Sequence, residues 1–521
     1  MQAFFDLPRW ILELGFVAYV VLVTALVLLE RRRPTATLAL VLALVFLPVL
    51  GLLTYLLFSR RRVRRRIRQR QRRPIKPLEG TRNIANLEVA PVDLPPPQRG
   101  LVKLALRTAA APLRRADGVE LLTNAKQAFD AVERAIEEAQ RCIHLEFYIW
   151  RDDATGRRFV EMLTRKAKDG VKVRVLYDHF GSLSLSSEHF APLRAAGGEV
   201  AAFGRLRFPV RFGHSRVNFR NHRKIMTIDG TIGFLGGLNV GDEYFGAGIE
   251  EHGWRDLFVQ LEGDAVVGLE ATFLEDWLAT TGQVIDLAGQ RPDLAVGVDA
   301  RRPAPRHRWG GRQRRRERIL RQANPFTPLP DRPMRSEGPL VQVIPSGPDI
   351  PVASAVAAQF SASIASARDR AWIATPYLIP DEPLMFILRT AALRGVDVRI
   401  LVPAPAKNDS KLVALASSSY YDELLEAGCR LYEYAPGMLH AKYLIVDEVA
   451  AIGSANMDVR SFHINYEITA MFYDARVTAR LAEVFVADLA EAREVQAADR
   501  IHLPLTTRLA EGAARVLSPL L

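Results

Sequence analysis

The sequence predicts an α/β protein: two similar repeats, each a mixed sheet flanked by helices, preceded by an N-terminal two-helix transmembrane hairpin. Three observations carry that expectation. Two long uncharged runs occur before residue 60, one order of helix-like and strand-like segments occurs twice, and each copy holds the pattern HxKxxxxD. A chain of 521 residues is about three domains' worth at the usual ~100–200 residues each. With 49% hydrophobic and 25% charged residues, wholesale disorder is excluded.

The hairpin comes first. Residues 14–29 (LGFVAYVVLVTALVLL) and 34–59 (PTATLALVLALVFLPVLGLLTYLLFS) carry no charge, and about 20 apolar residues span a bilayer. The second run spans alone; the first does so with Trp10 and Glu13 at the interface. A cleavable signal peptide fits the first run poorly, because the segment lacks a basic start, contains Glu13 and leads into a second hydrophobic span. Eleven basic residues and no acid lie between Arg60 and Lys76. By the positive-inside rule they place the N-terminus and everything after residue 60 in the cytoplasm, with the Arg31–Arg33 turn outside. The same tract suits anionic lipid headgroups.

The net charge of +12 is concentrated. Residues 60–76 carry +11 and residues 301–323 carry +9, which leaves −8 for the rest of the chain. A generally basic nucleic-acid-binding surface is therefore not expected. The two cysteines, Cys142 and Cys429, form neither a CxxC nor a metal-ligand spacing, so they read as small semi-buried side chains.

The repeats follow a basic and Pro-rich juxtamembrane linker at 60–118. The first repeat, 119–290, runs from the helix-like AFDAVERAIEEAQRC through the strands IHLEFYIW and VKVRVLYD to a motif region at 221–239. The second, 338–500, repeats that order with AQFSASIASARDR, AWIATPYLIPDEP, VDVRILVP and a motif region at 440–456. Helices alternating with short β-branched strands argue for α/β units around a mixed sheet. Between the repeats, 291–337 is an Arg/Pro-rich linker whose composition builds no core. The C-terminal amphipathic segment, 501–521, is expected to dock on the core, with a membrane-surface contact as the alternative.

The motifs are His222-Arg223-Lys224 with Asp229, and His440-Ala441-Lys442 with Asp447. Two of only ten lysines are spent here. On an extended chain, i and i+2 side chains share a face, so imidazole and ammonium point into one site. The ammonium suits a phosphate oxygen, and the amides of Asn239 and Asn456, which close the small-residue stretches Gly236-Gly237-Leu238 and Gly453-Ser454-Ala455, suit another. Asp229 begins an Asp-Gly hairpin turn and lies five residues past Lys224, so support rather than proton transfer is expected of it and of Asp447. Asp256 and Glu467 each begin a later strand, and each is expected to orient its own repeat's histidine. His179 and His214 read as loop or surface residues, His463 as packed, Asp152 with Asp153 as a loop pair, and Tyr148 with Tyr377 as strand caps at matching positions.

With RNHRKIMTIDG, GGLNVGDEY, WRD, TPYLIPD, GMLHAKYLIVD and GSANMDVRSFHINYE in view, residues 120–500 resemble the phospholipase D superfamily, and within it the bacterial cardiolipin synthase family. The N-terminal hydrophobic hairpin ending LFSRR is similar too. The Arg-rich insertion between the repeats is less typical. The resemblance implies two phospholipase D-like repeats sharing one active site in an inner-membrane, multi-pass enzyme. It implies a phosphatidyl transfer through a phosphohistidine, with one histidine as nucleophile and the other as acid, phosphatidylglycerol as substrate, and no metal or cofactor. By that analogy His222 is the nucleophile and His440 the acid, an assignment that sequence symmetry alone leaves open. A hydrolytic phospholipase D, a synthase using another phosphatidyl donor, a nuclease on the same machinery and a catalytically silent scaffold are the alternatives.

Overall fold

The computed structural model describes residues 9–28, 34–46, 93–186, 188–205, 219–244, 254–283, 285, 337–348 and 354–518. The basic tract at 60–76, the Arg-rich segment at 291–336 and His214 lie outside these residues.

Helices α1 (Arg9–Leu28) and α2 (Pro34–Phe46) belong to a small unit separate from the rest of the described chain. Val27, Leu40 and Leu44 are buried between them, with Tyr19 packed alongside, while Leu14, Val21, Leu22, Leu38 and Phe46 face outward. Helices apolar on both sides suit apolar surroundings. Among the described residues, however, no helix is long and apolar enough to cross a membrane. The second expected span is described only to Phe46, and residues 47–59 lie outside the described chain.

The large unit opens with α3 (Pro96–Ala109), whose two leading prolines suit a first turn that needs no N–H donors, and β1 (Arg114–Arg115). These residues were expected to be linker. Instead Leu101, Val102 and Ala105 of α3 enter the core of the second repeat. The buried side chains of Gln342 and Gln359 donate to the carbonyls of Val102, Ala111 and Leu101, which ties the segment down. Composition missed this because the apolar face of α3 is short and its partner lies some 240 residues away.

The first repeat comprises β2 (Val119–Leu122), α4 (Ala125–Glu138), β3 (Cys142–Phe147), α5 (Ala154–Lys168), β4 (Lys172–Asp178), α6 (Ala191–Ala195), β5 (Glu199–Phe203), β6 (Ile225–Ile228), β7 (Ile232–Gly236), β8 (Phe258–Glu262) and α7 (Val266–Thr281). The second comprises β9 (Leu340–Ser346), α8 (Ala355–Ser366), β10 (Arg370–Ala374), β11 (Leu378–Ile379), α9 (Glu382–Leu393), β12 (Asp397–Pro403), α10 (Lys411–Ser418), α11 (Tyr421–Glu426), β13 (Arg430–Tyr434), β14 (Tyr443–Val446), β15 (Val449–Gly453), β16 (Met457–Asp458), α12 (Val459–His463), β17 (Glu467–Phe472), α13 (Ala475–Ala490) and β18 (Ala492–Glu494). Helices α14 (Ala497–Ile501) and α15 (Leu505–Leu517) close the described chain.

Both sheets have one topology. The first runs β2-β8-β7-β6-β3-β4-β5, and the second runs β9-β17-β15-β14-β10-β12-β13 with β1 and β18 added at its edges. In each, three parallel strands adjoin four antiparallel ones, so both are mixed. Side chains alternate as strand geometry requires. Ile143, Leu145 and Phe147 of β3 face the outer core beneath α4 and α5, while His144 and Glu146 face inward toward α7. Likewise Ala371 and Ile373 of β10 lie in the outer core, and Trp372 and Ala374 in the inner one. That inner core joins Ile225, Leu235 and Val259 of the first sheet to Ile445, Ile452 and Ile468 of the second and takes in Leu269 of α7 and Phe485 of α13, so the sheets' inner faces share one core with these two helices, while α4, α5 and α8 cover the outer faces.

Candidate active site

The two motif segments approach their strands in extended form, immediately before β6 and β14. Each is pinned by the opposite repeat. The His222 amide donates to the Tyr466 carbonyl at 2.9 Å, one residue before Glu467, and the His440 amide donates to the Arg255 carbonyl at 2.7 Å, one residue before Asp256. This exchange sets the carboxylate pairing. His222 Nδ1 lies 3.0 Å from Glu467 Oε1, and His440 Nδ1 lies 2.7 Å from Asp256 Oδ2. The expected pairing within each repeat is therefore wrong, and each carboxylate serves the other repeat's histidine. One-dimensional spacing shows that a carboxylate follows each motif; the inter-repeat seam decides which histidine it reaches.

Glu467 is completely buried, yet its carboxyl stays below the usual range because His222, Lys224 and the Ser454 hydroxyl, 2.5 Å away, outweigh the cost of burial. An ionised carboxylate only accepts, so the His222 proton resides on Nδ1 and Nε2 presents its lone pair. Burial pushes His222 down to about 4, with Lys224 and Lys442 adding to the effect and Glu467 opposing it. His440 is pushed down to about 3, again chiefly by burial, then by Lys442. Both imidazoles are neutral at pH 7.

Lys224 and Lys442 are buried, and each donates to its own motif's histidine carbonyl, Lys224 at 2.7 Å. Burial depresses Lys224 well below its ordinary value and Lys442 to about 8. Each lysine also lowers the other repeat's histidine, so the four groups form one electrostatic centre. An ammonium with one proton committed keeps two donors for phosphoryl oxygens.

The remaining expected residues are distributed differently. Asn239 accepts from the Ile149 amide at 3.1 Å and donates to the Tyr244 hydroxyl; Asn456 donates to Asp458 at 3.0 Å. Both are buried beside the motifs, and each carries a second N–H. Asp229 and Asp447 sit at the far ends of β6 and β14 with left-handed φ of 51° and 49°. Asp229 accepts from the amides of Gln140, Arg141 and Cys142, and Asp447 from those of Arg368, Asp369 and Arg370. Each lies five residues past its own motif's lysine, roughly 17 Å along an extended strand, and the two clamp the starts of β3 and β10, away from the reacting centre. Both aspartates belong to the motif, and their hydrogen bonds are those of structural supports.

Several site residues escaped the sequence reading. Tyr148, expected only to cap a strand, stands edge-on to His222 at 4.9 Å with the Lys224 ammonium 5.4 Å from its ring centre. Trp254 and Tyr244 wall His440 at 5.0 and 5.7 Å. Tyr377, the counterpart of Tyr148, instead donates to Asp409. Arg223, between His222 and Lys224, is buried; it pairs with Asp276 and donates to the Glu467 and Ser346 carbonyls at 3.1 Å. Ala441 occupies that position in the second motif. Asp153 caps α5 through the Gly156 amide, Asp152 pairs with Arg157 and His189, and His463 forms a half-exposed pair with Asp381 rather than packing inside. His179 lies in a loop beside Phe180, and both cysteines are buried thiols.

A family model described as "Cardiolipin synthase, PLD-like domain" matches residues 132–277 and 360–489, spanning both motifs. The chain belongs to the cardiolipin synthase family. A curated cardiolipin synthase from Geobacillus sp. (strain WCH70) is 38% identical over 96% of this chain and 92% of its own length. Cardiolipin synthase 2 from Bacillus anthracis is 37% identical over 96% and 90%. A second family model, "Phospholipase_D-nuclease N-terminal", matches residues 14–60. Among solved structures, the phosphatidylserine synthase of Haemophilus influenzae covers 81% of this chain and 100% of its own at a TM-score of 0.58 and 14% identity, a likeness of fold. Within the cardiolipin synthase family frame, both histidines, both lysines and both orienting carboxylates of the two phospholipase D-like repeats are present in one centre.

Proposed function

We propose that this enzyme is a membrane-bound phosphatidyltransferase that makes cardiolipin and glycerol from two phosphatidylglycerol molecules. The observation that carries the reading is the pair of histidines, each held by a carboxylate of the opposite repeat and flanked by a buried lysine. His222 Nε2 attacks phosphorus of the first lipid; the phosphorus–oxygen bond to the terminal glycerol breaks, and His440 delivers the proton that this glycerol carries away. His440 then takes the proton of the second lipid's glycerol hydroxyl, whose oxygen attacks phosphorus and expels His222. Two displacements replace one difficult exchange. The phosphodiester charge between Lys224 and Lys442 offsets the desolvation that depresses His440 in the free enzyme, which lets it hold the proton. The lysines, with the second N–H of Asn239 and Asn456, stabilise charge on the phosphoryl oxygens.

The hydrophobic runs at 14–29 and 34–59 anchor the chain as a two-span hairpin in the bacterial inner membrane, with the large unit in the cytoplasm. The apolar outward faces of α1 and α2 and the family match at 14–60 support this topology. Cysteine accessibility from each side of the membrane tests it: a residue placed between Arg31 and Arg33 should react only from outside.

Detergent-purified protein given labelled phosphatidylglycerol should form cardiolipin and stoichiometric glycerol, and acid-labile phosphate should be trapped on His222. Phosphatidic acid as the sole product would mean a hydrolase. Label on His440 would reverse the assigned roles.

A further inference from the structure

Helix α15 is amphipathic in the inverse sense. Its inward side is mainly polar: Ala514 enters the core, but Glu511 is buried and accepts from Arg500 at 2.8 Å, Arg515 stacks on Tyr420 at 4.4 Å and donates to the Ser419 carbonyl, and Ser518 bonds the Tyr420 hydroxyl at 3.1 Å. Its aliphatic side faces out. Leu505 is 71% exposed, Leu509 65% and Val516 78%, and their spacings of four and seven residues set them in one stripe. A mostly polar inner side with leucines outside is the reverse of what folding alone selects, and an exposed apolar stripe marks a contact surface.

The chemistry around the stripe identifies the occupant. The exposed residues of α15 include Arg508 and no acid, and Lys411 and Leu412 are exposed at the start of α10, the helix that packs along α15. A second copy of the chain is poorly matched: three aliphatic side chains offer roughly 300 Å² at most, against about 800 Å² per partner in a stable interface. An aliphatic stripe bordered by cations is suited to the headgroup plane of an anionic bilayer. We propose that α15 rests on the anionic membrane surface through Leu505, Leu509 and Val516, with Arg508 and Lys411 on lipid phosphates, as a second membrane contact that holds the large unit against its substrate layer. This rests on the proposed function only in that the substrate is drawn from a bilayer.

The test uses the full chain carrying Leu509→Cys, labelled with an environment-sensitive fluorophore; the native Cys142 and Cys429 are each 3% exposed and escape labelling. In phosphatidylglycerol vesicles bearing a quencher in the upper acyl chain, emission should shift to the blue and be quenched at least twofold, and both effects should weaken in phosphatidylcholine vesicles. Water-like emission without quenching would overturn the proposal, as would energy transfer between labelled copies in lipid-free detergent, which would assign the stripe to self-association. Leu505→Glu with Leu509→Glu should slow turnover of vesicle phosphatidylglycerol about tenfold and leave turnover in mixed micelles unchanged; equal loss in both would also count against it. If the unsubstituted enzyme makes no cardiolipin in micelles, the proposed function fails while the fluorescence still decides the role of α15.

Discussion

His222 Nδ1 and Glu467 Oε1 lie 3.0 Å apart although 245 residues separate them in the chain. Asp256 and His440 form the reciprocal pair at 2.7 Å, so neither motif histidine finds its carboxylate within its own repeat.

Exchanging a carboxylate for an amide therefore acts across the seam. Glu467→Gln should lower kcat by about 10²-fold with little change in KM, since orienting partners contribute on the order of 10–10⁴-fold elsewhere. Nitrogen NMR should show the His222 tautomer disturbed and that of His440 retained, with the converse for Asp256→Asn. Disturbance of the same-repeat histidine instead would refute the crossed pairing.

Acid should weaken the fold before it silences the histidines. Their folded pKa values of about 4 and about 3 lie below the ordinary ~6.5. Between pH 6.5 and 4 the unfolded chain thus binds more protons, and stability contributed by these groups falls as pH drops through that window. Urea denaturation at pH 7, 5.5 and 4 measures it; a flat profile there would contradict the buried, neutral imidazoles.

At the alkaline end, Lys442, held near 8 by burial, should impose a fall in kcat/KM above that pH. An anionic substrate favours the ammonium, so the corresponding limb in kcat should lie higher. In Lys442→Arg, residual activity should lack the limb, because a guanidinium does not titrate there. A limb that persists unchanged belongs to another group.

Asp447→Ala removes the acceptor of three backbone amides and a side chain tolerant of left-handed φ. It should cost about 2 kcal/mol of stability, read from denaturant midpoints, with turnover per folded molecule within about twofold of the parent, as expected of a site remote from the chemistry. A loss of about 10³-fold without destabilisation would instead place Asp447 in the catalytic set.

Gly237 and Ser454 occupy matching positions, yet they do different things. A Cβ at Gly237 would stand 2.1 Å from Asp256 Oδ1, so Gly237→Ala must displace the carboxylate that orients His440. Ser454→Ala only withdraws one hydroxyl from Glu467. The first should lower kcat by about 10²-fold and the second by about tenfold, in keeping with one lost hydrogen bond to a charged group.

Local chemistry alone determined much of this protein. Periodicity marked the alternating helices and strands, the twin motifs marked His222, Lys224, His440 and Lys442, and the Asp-Gly turn already argued Asp229 away from proton transfer. These are short-range properties, carried by residues within one strand or turn. Tertiary structure decided the rest: the exchange of Asp256 and Glu467 between repeats, the entry of α3 and β1 into the second repeat, the aromatic walls of Tyr148, Tyr244 and Trp254, and the outward leucines of α15. Each depends on which surfaces meet when the inner faces of two sheets share one core. Burial in that seam strips water from four titratable groups at once, and this desolvation, invisible in one dimension, turns two histidines and two lysines into a single reactive centre.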